Sequence, residues 1–287
     1  MGVFNERKIP AKLIQSLDGF SLLSLQEIRF IMWFLNKNNN PFQISDQLWK
    51  SIKFHLQRIF KTSNCLQVVL KMLNDFEQTN PAKYFSDLEN FFDEAKIEDF
   101  YEREKGIITI STIHKAKGHE YDNVYMLMNN NSILSDENKR KIYVGITRAK
   151  SNLFIHYNDN IFKEFVDLPG IKKDIDIKEY APPHHVILQL SHKDVYLDYF
   201  KYRQKEIVKL RSGDSLNIQK EGLSAKIKDK EIDILKFSAA CKEKIKSLLH
   251  QGYQVSEASV RFIVYWQKQE EESDVAIILP DIKFIKK

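Results

Sequence analysis

The sequence is short of the residues that build several familiar sites. It has nine glycines in 287 residues, less than half the usual share. None is followed by lysine and none fits G-x-G-x-x-G. A phosphate-cradling P-loop and a dinucleotide fingerprint are therefore excluded, because each uses spaced glycines to bring backbone N–H groups onto phosphates. Two cysteines, Cys65 and Cys241, lie far apart and outside any C-x-x-C. That excludes a disulfide framework and a cysteine-ligated zinc site, and it suits a reducing cytoplasm. The eight histidines include no H-E-x-x-H, since Asn123 stands where His119-Glu120 would need its second histidine. No G-x-S-x-G occurs either, and no metal site is expected. Long apolar runs are missing too: the stretch 20–35 is broken by Gln26, Glu27 and Arg29. The N-terminus leads into no signal-type apolar core, so no membrane partner is expected and the cytoplasm is the expected location. Excess charge is small, 44 Lys and Arg against 39 Asp and Glu, and lies mostly beyond residue 184. It permits nucleic-acid binding without requiring it.

What remains is an ordinary globular composition, 43% hydrophobic and 29% charged, in a chain long enough for one or two domains. Residues 11–16 read as a short strand. Ser24 and Glu27 fit a capping box that opens a helix through residue 36. Apolar spacings of three and four over 44–61 and 64–77, and a segment after Pro81 through Ala95, predict three more helices. The block 20–104 is therefore helical. The pattern then changes. Residues 107–113 are β-branched, 123–128 and 153–157 read as strands, and 135–150 reads as a helix with acids in its first turn. Strand, strand, helix, strand predicts an α/β layer with a largely parallel sheet. Because 11–16 is also strand-like, the helical block becomes an insertion between strands of one sheet. Residues 166–185, with Pro169-Gly170 and Pro182-Pro183, read as a linker. Beyond it, 186–287 reads as a small β-rich domain, a barrel of SH3 or Tudor type or similar, with a helix over 238–251 and a hairpin around 267–274.

The run Thr109-Ile110-Ser111-Thr112-Ile113-His114-Lys115-Ala116-Lys117-Gly118-His119-Glu120-Tyr121 holds the chemistry. A strand ends in hydroxyl, imidazole and ammonium groups and turns at a glycine. Strand C-termini are where open α/β sheets place ligands, and these groups suit phosphates or ribose hydroxyls. A second run follows, from Glu137 through Tyr143-Val144-Gly145-Ile146-Thr147-Arg148-Ala149-Lys150. Together the two resemble motifs V and VI of the UvrD/Rep-like helicases of superfamily 1, T-I-H-x-A-K-G-L-E-[FY] and E-E-x-R-R-L-x-Y-V-x-x-T-R-A-[KR], in the right order with a strand between. The match covers about residues 106–157.

That resemblance implies most of the second RecA-like domain of an ATP-driven DNA translocase of 3′ to 5′ polarity, over residues 1–165. The helical block 20–104 stands where the family inserts its accessory domain. By the family pattern Arg148 is the arginine finger, Gly118 and Glu120 join it in holding nucleotide, and Thr112 and His114 touch single-stranded DNA. ATP is implied with Mg²⁺ whose ligands belong to a first RecA-like domain, an N-terminal partner within a longer parent polypeptide. Alone, the chain is expected to be inactive. DNA repair is the implied setting. His119, Asn138 and Lys141 depart from the family's leucine, acid and leucine, which suggests a divergent branch. Its Arg-containing motif IV has no counterpart here. Two other readings stay open: a non-enzymatic module in which 186–287 docks on protein or nucleic acid, and the motor part of a RecB or AddA type helicase–nuclease.

Other features have plainer readings. Phe91-Phe92-Asp93-Glu94 mimics a metal-binding strand end but follows helical spacing. Tyr196, Tyr199, Phe200, Tyr202 and Arg203 resemble a base-stacking platform, yet aromatics at helical spacing read first as core. Val260, Phe262, Val264 and Trp266 read as the core face of a strand. His184-His185 reads as a solvated pair, and Lys242, Lys244 and Lys246 as a solvated helix face.

Overall fold

A computed structural model describes residues 4, 7–38, 42–101, 106–116, 118–128, 135–157, 171–172, 174–175, 180–267 and 273–287. The chain forms two compact units. The larger contains residues 1–10, 15–107 and 183–287, and the smaller contains 11–14 and 108–182.

In the larger unit four helices follow one another: α1 (Gln26–Lys37), α2 (Asp46–Ile59), α3 (Leu66–Thr79) and α4 (Phe85–Glu94). Each is amphipathic. α1 buries Ile28, Ile31 and Leu35, α2 buries Trp49, Ile52 and Leu56, and α3 buries Val69, Met72, Leu73 and Phe76. Phe92 is buried within α4, so the Phe-Phe-Asp-Glu stretch is helical. The Ser24–Glu27 capping box does not form. Ser24 ends a 3₁₀ turn, α1 starts at Gln26 with Leu25 in the capping position, and no side chain caps it. Leu25 instead bridges to Val264, and Glu27 turns inward to accept a 2.6 Å hydrogen bond from Ser63 Oγ. Tertiary packing of Leu25 has displaced the local cap.

Residues 183–287 add β5 (His185–Gln189), β6 (Ser215–Ile218), β7 (Gly222–Ile227), β8 (Lys230–Lys236), β9 (Tyr253–Trp266) and β10 (Val275–Lys286). They form one sheet in the order β5-β10-β9-β6-β7-β8, antiparallel at every pairing. Short helices α5 (Leu197–Phe200) and α6 (Gln204–Ile207) precede β6. The longer α7 (Ala239–His250) is capped by Ser238, which accepts from the Cys241 amide. Among the described residues β5 and β8 remain edges, so the sheet is open where the sequence predicts a barrel. Closure is unnecessary, because buried residues run consecutively through 260–264 and 275–280 and both faces of the long β9–β10 pair are covered. Ile263 and Arg261 are thus buried along with Phe262 and Val264, while Trp266 is only partly so.

The sequence divides the chain into a motor domain with a helical insertion and a separate accessory domain. Packing groups it differently. The helical block and the sheet share one hydrophobic cluster, from Leu22 and Trp49 through Phe76 to Phe262 and Phe284. Within it Arg261 is buried. Its Nη2 pairs with Asp18 at 2.6 Å and donates to the Leu190 carbonyl, and its Nε lies 2.9 Å from Asp281, close enough for an ion pair though not aligned as a hydrogen bond.

The smaller unit holds two parallel strand pairs. β1 (Ala11–Leu13) pairs with β2 (Ile108–Ile110), so these two short strands bracket the helical block in sequence as expected. β3 (Tyr121–Met128) pairs with β4 (Ala149–Tyr157). Between β3 and β4 lies α8 (Asp136–Ile146), capped by Ser135. Parallel pairing agrees with the sequence, although the two pairs are not joined into one sheet among the described residues. The linker prediction at 166–185 falls largely outside them.

Candidate nucleotide and nucleic-acid site

Every residue singled out for chemistry lies in the smaller unit, on the turns after β2 and at the join of α8 to β4. After Ile110 the backbone tightens: the Ala116 amide donates to the Thr112 and Ile113 carbonyls, each at 3.2 Å, and the His119 amide donates to Ala116 at 3.1 Å. Thr112 and His114 are exposed on this turn. Gly118 closes it with φ +80°, a left-handed conformation that side chains disfavour, and a Cβ there would meet nothing within 4 Å. Its glycine serves the backbone conformation and leaves open space above it. Lys117 lies outside the described residues.

Arg148 follows the C-terminus of α8, and its guanidinium is engaged at all three nitrogens. Nε donates to the Val144 carbonyl at 2.9 Å, Nη1 to the His119 carbonyl at 3.2 Å, and Nη2 to Thr147 Oγ1 at 2.9 Å. The Tyr121 amide in turn donates to the Arg148 carbonyl at 2.8 Å. These bonds bring the two motifs to one corner. Glu120 and Lys150, both more than half exposed, face each other at 3.5 Å across the same corner. α8 packs on β3 at Gly145, where a Cβ would fall 2.7 Å from Met126 Cε.

His114 acts on the first turn of α8 through Glu137. A hydrogen bond from Lys141 is the largest cause holding the Glu137 carboxyl below its ordinary range, with the His114 charge a smaller one. The sequence flagged Arg148, Gly118, Glu120, Thr112 and His114 but not their fastenings. The Val144 and Thr147 acceptors follow from ordinary last-turn helix geometry. The His119 carbonyl and the Lys150 partner are set by the β3–β4 register and leave no mark on the sequence.

A cation, a carboxylate and an open glycine suit the anionic and hydroxyl groups of a nucleotide. Among the described residues there is no group of three His, Cys, Asp or Glu that could hold a metal ion. No described helix is long and apolar enough to cross a membrane.

The plainer features resolve case by case. Phe200 is core, whereas Tyr196 and Tyr202 are 58% and 79% exposed, and the Arg203 guanidinium lies 5.3 Å over Tyr199. Lys244 is not simply solvated: it pairs at 2.6 Å with buried Asp194. Lys242 pairs with Glu221. The His184 and His185 rings are 5.0 Å apart.

Comparison with known proteins agrees with the motifs. Residues 42–160 match the UvrD-like helicase C-terminal domain. The chain is 24% identical over 206 residues to the ATP-dependent DNA helicase Rep of Buchnera aphidicola subsp. Schizaphis graminum, covering 64% of this chain and 27% of that protein. It is 23% identical over 174 residues to the ATP-dependent DNA helicase srs2 of Schizosaccharomyces pombe, covering 58% of this chain and 18% of that one. The chain thus spans about a quarter or less of these curated relatives. Motifs, parallel strand pairs and matches agree, and the chain is similar to the C-terminal portion of UvrD/Rep-like superfamily 1 helicases.

Proposed function

We propose that the chain supplies the C-terminal motor half of an ATP-dependent DNA helicase acting 3′ to 5′. Arg148 serves as its arginine finger, Gly118 and Glu120 contact nucleotide, and Thr112 and His114 contact single-stranded DNA. The observation that carries this reading is the bond from Arg148 to the His119 carbonyl, which sets the cation beside the Gly118–Glu120 turn. All three Arg148 acceptors are neutral. A phosphate oxygen adds a full opposite charge and can take both Nη groups in a bidentate pair, so the Nη groups exchange partners when nucleotide arrives while Nε stays tethered to Val144. The guanidinium then stabilises charge spreading over the transferred phosphoryl oxygens. Glu120, released from exposed Lys150, accepts from ribose hydroxyls. The P-loop and Mg²⁺ ligands come from a first RecA-like domain, so the isolated chain does not turn ATP over. Residues 186–287 serve protein contacts, and DNA repair in the cytoplasm is the proposed setting.

The test is Arg148→Ala in the complete helicase. ATP turnover is expected to fall by roughly 10³-fold or more with single-strand affinity nearly unchanged, and Glu120→Ala is expected to weaken nucleotide binding instead. Normal turnover by Arg148→Ala removes the finger assignment.

A further inference from the structure

The outer face of α1 and α2 combines features that no motif explains. Between residues 28 and 74 the chain has seven Lys or Arg and one acid, Asp46, and Lys83 pairs with that acid at 2.9 Å. Arg29 and Lys53 are committed to Asp274 and Glu77. Lys37, Lys50, Arg58 and Lys61 remain exposed on or beside the two helices, with no acid on either helix beyond its first turn.

A ribbon of aromatic rings lies among these cations. Trp33 meets Phe30 at 5.9 Å between centroids, Phe30 meets Phe34 at 5.9 Å, Phe34 meets His55 at 5.1 Å, and His55 meets Phe54 at 5.5 Å. The ribbon crosses from one helix to the other and ends in open rings at both sides. Trp33 is 53% exposed and Phe54 60% exposed. Lys37 Nζ sits 5.1 Å over Trp33. At the far end of α2, Arg211 lies 4.7 Å over Phe60 and donates to the Ile59 carbonyl at 3.2 Å.

We infer that this face binds single-stranded nucleic acid: Trp33 and Phe54 stack on unpaired bases, and Lys37, Arg58 and Lys61 pair with the phosphates between them. The charge asymmetry suits an anionic partner. The open rings choose among anions, because a duplex keeps its bases stacked and an acidic peptide offers no flat π-face. The inference stands on the larger unit alone and does not depend on the roles assigned to Thr112 and His114.

Labelled oligothymidylate titrated into the full 287-residue chain at two salt concentrations, read by anisotropy, tests it. Trp33→Ala and Phe54→Ala are each expected to weaken binding by about 10-fold, the scale of one lost stacked base. Trp33→Phe keeps a ring and should keep most of the affinity. Replacing both Arg58 and Lys61 by Gln should flatten the log–log salt slope by about 1.4, two phosphate contacts at ~0.7 each. All of these side chains are at the surface, so the variants should melt like the unaltered chain. Binding unchanged in Trp33→Ala and Phe54→Ala overturns the proposal, as does a preference for blunt duplex or polyglutamate over the single strand. Unchanged binding there with loss in Thr112→Ala or His114→Ala overturns it while sparing the helicase reading.

Discussion

The larger unit buries a continuous apolar core, leaving Trp33, Phe54, Ile59 and Leu249 exposed on its helices, and the smaller one leaves most of its apolar side chains at least partly exposed. In the larger, β9 and β10 are covered on both faces and Trp49, Phe76, Phe262 and Phe284 are at most about 1% exposed. In the smaller, Ile14 and Met126 are the only hydrophobic side chains buried among the described residues. Along β3 and β4 the outward residues include Tyr125 at 65%, Leu127 at 83% and Phe154 at 42% exposure, with the Tyr125 and Phe154 rings stacked 4.5 Å apart. Parallel strands are ordinarily covered on both faces. Stability and chemistry are therefore separated: the tight core carries none of the candidate nucleotide residues, and the unit that carries them is held by few buried contacts.

That contrast can be broken by substitution. Phe262→Ala should destabilise the larger unit by about 3–5 kcal/mol, the cost of a large buried ring and the cavity left behind. Leu127→Ala on the bare β3 face should change stability by no more than about 0.5 kcal/mol. Urea unfolding followed by hydrogen exchange in each unit would read both, and equal costs would dissolve the distinction. Gly222→Ala comes next. A Cβ at Gly222 would fall 1.9 Å from the Leu235 carbonyl oxygen of the neighbouring strand, so β7 and β8 must part locally. A loss of about 2 kcal/mol or more is expected in thermal melts, whereas Gly145→Ala in the smaller unit meets only the mobile end of Met126 and should cost less.

A third contrast is in pH. Burial is the largest cause raising the Glu27 carboxyl above its ordinary range, against the Ser63 hydrogen bond, and burial likewise raises Asp281 against the charge of Arg261. A raised folded pKa contributes stability that is full below the unfolded value and is lost as pH rises through the folded one. The larger unit should lose stability from about pH 4 upward on this account, and Glu27→Gln should lessen that loss, seen as a smaller fall in urea midpoint. An undiminished fall in the variant would assign the slope elsewhere. A last contrast is at the helix caps. Ser135→Ala should cost about 1 kcal/mol. In the weakly packed smaller unit this should speed amide exchange in α8 visibly, while the matching Ser45→Ala on α2 should leave its exchange nearly global.

Helices and strands were legible because periodicity records which side of an element meets the core. The four helices of the 20–104 block and α7 stand within a few residues of their predicted limits, and β9 ends and β10 begins at the predicted residues, although both strands run about seven residues further at their outer ends. What failed did so where distant residues intervened. The capping box at Ser24 and Glu27 is a local bargain that Leu25 abandons to bridge Val264, and Glu27 finds Ser63 instead of the helix start. Alternation along β9 predicts one buried face; a second is buried because other elements cover it, which a strand's own sequence does not record.

By itself, the sequence determined the element types, the alternation of strands and helix that gives parallel strand pairs, and the two motifs that resemble those of a helicase C-terminal portion. Each is local: a few neighbouring residues specify a periodicity, a turn, or a set of groups at a strand end. Only the tertiary structure decided that the helical block and the C-terminal sheet share one core, that the sheet stays open, and that Arg148 is tied to the His119 carbonyl. These depend on which surfaces meet across tens to hundreds of residues, 29 for Arg148 and His119, and the free energy of bringing them together belongs to the pair of surfaces rather than to either segment.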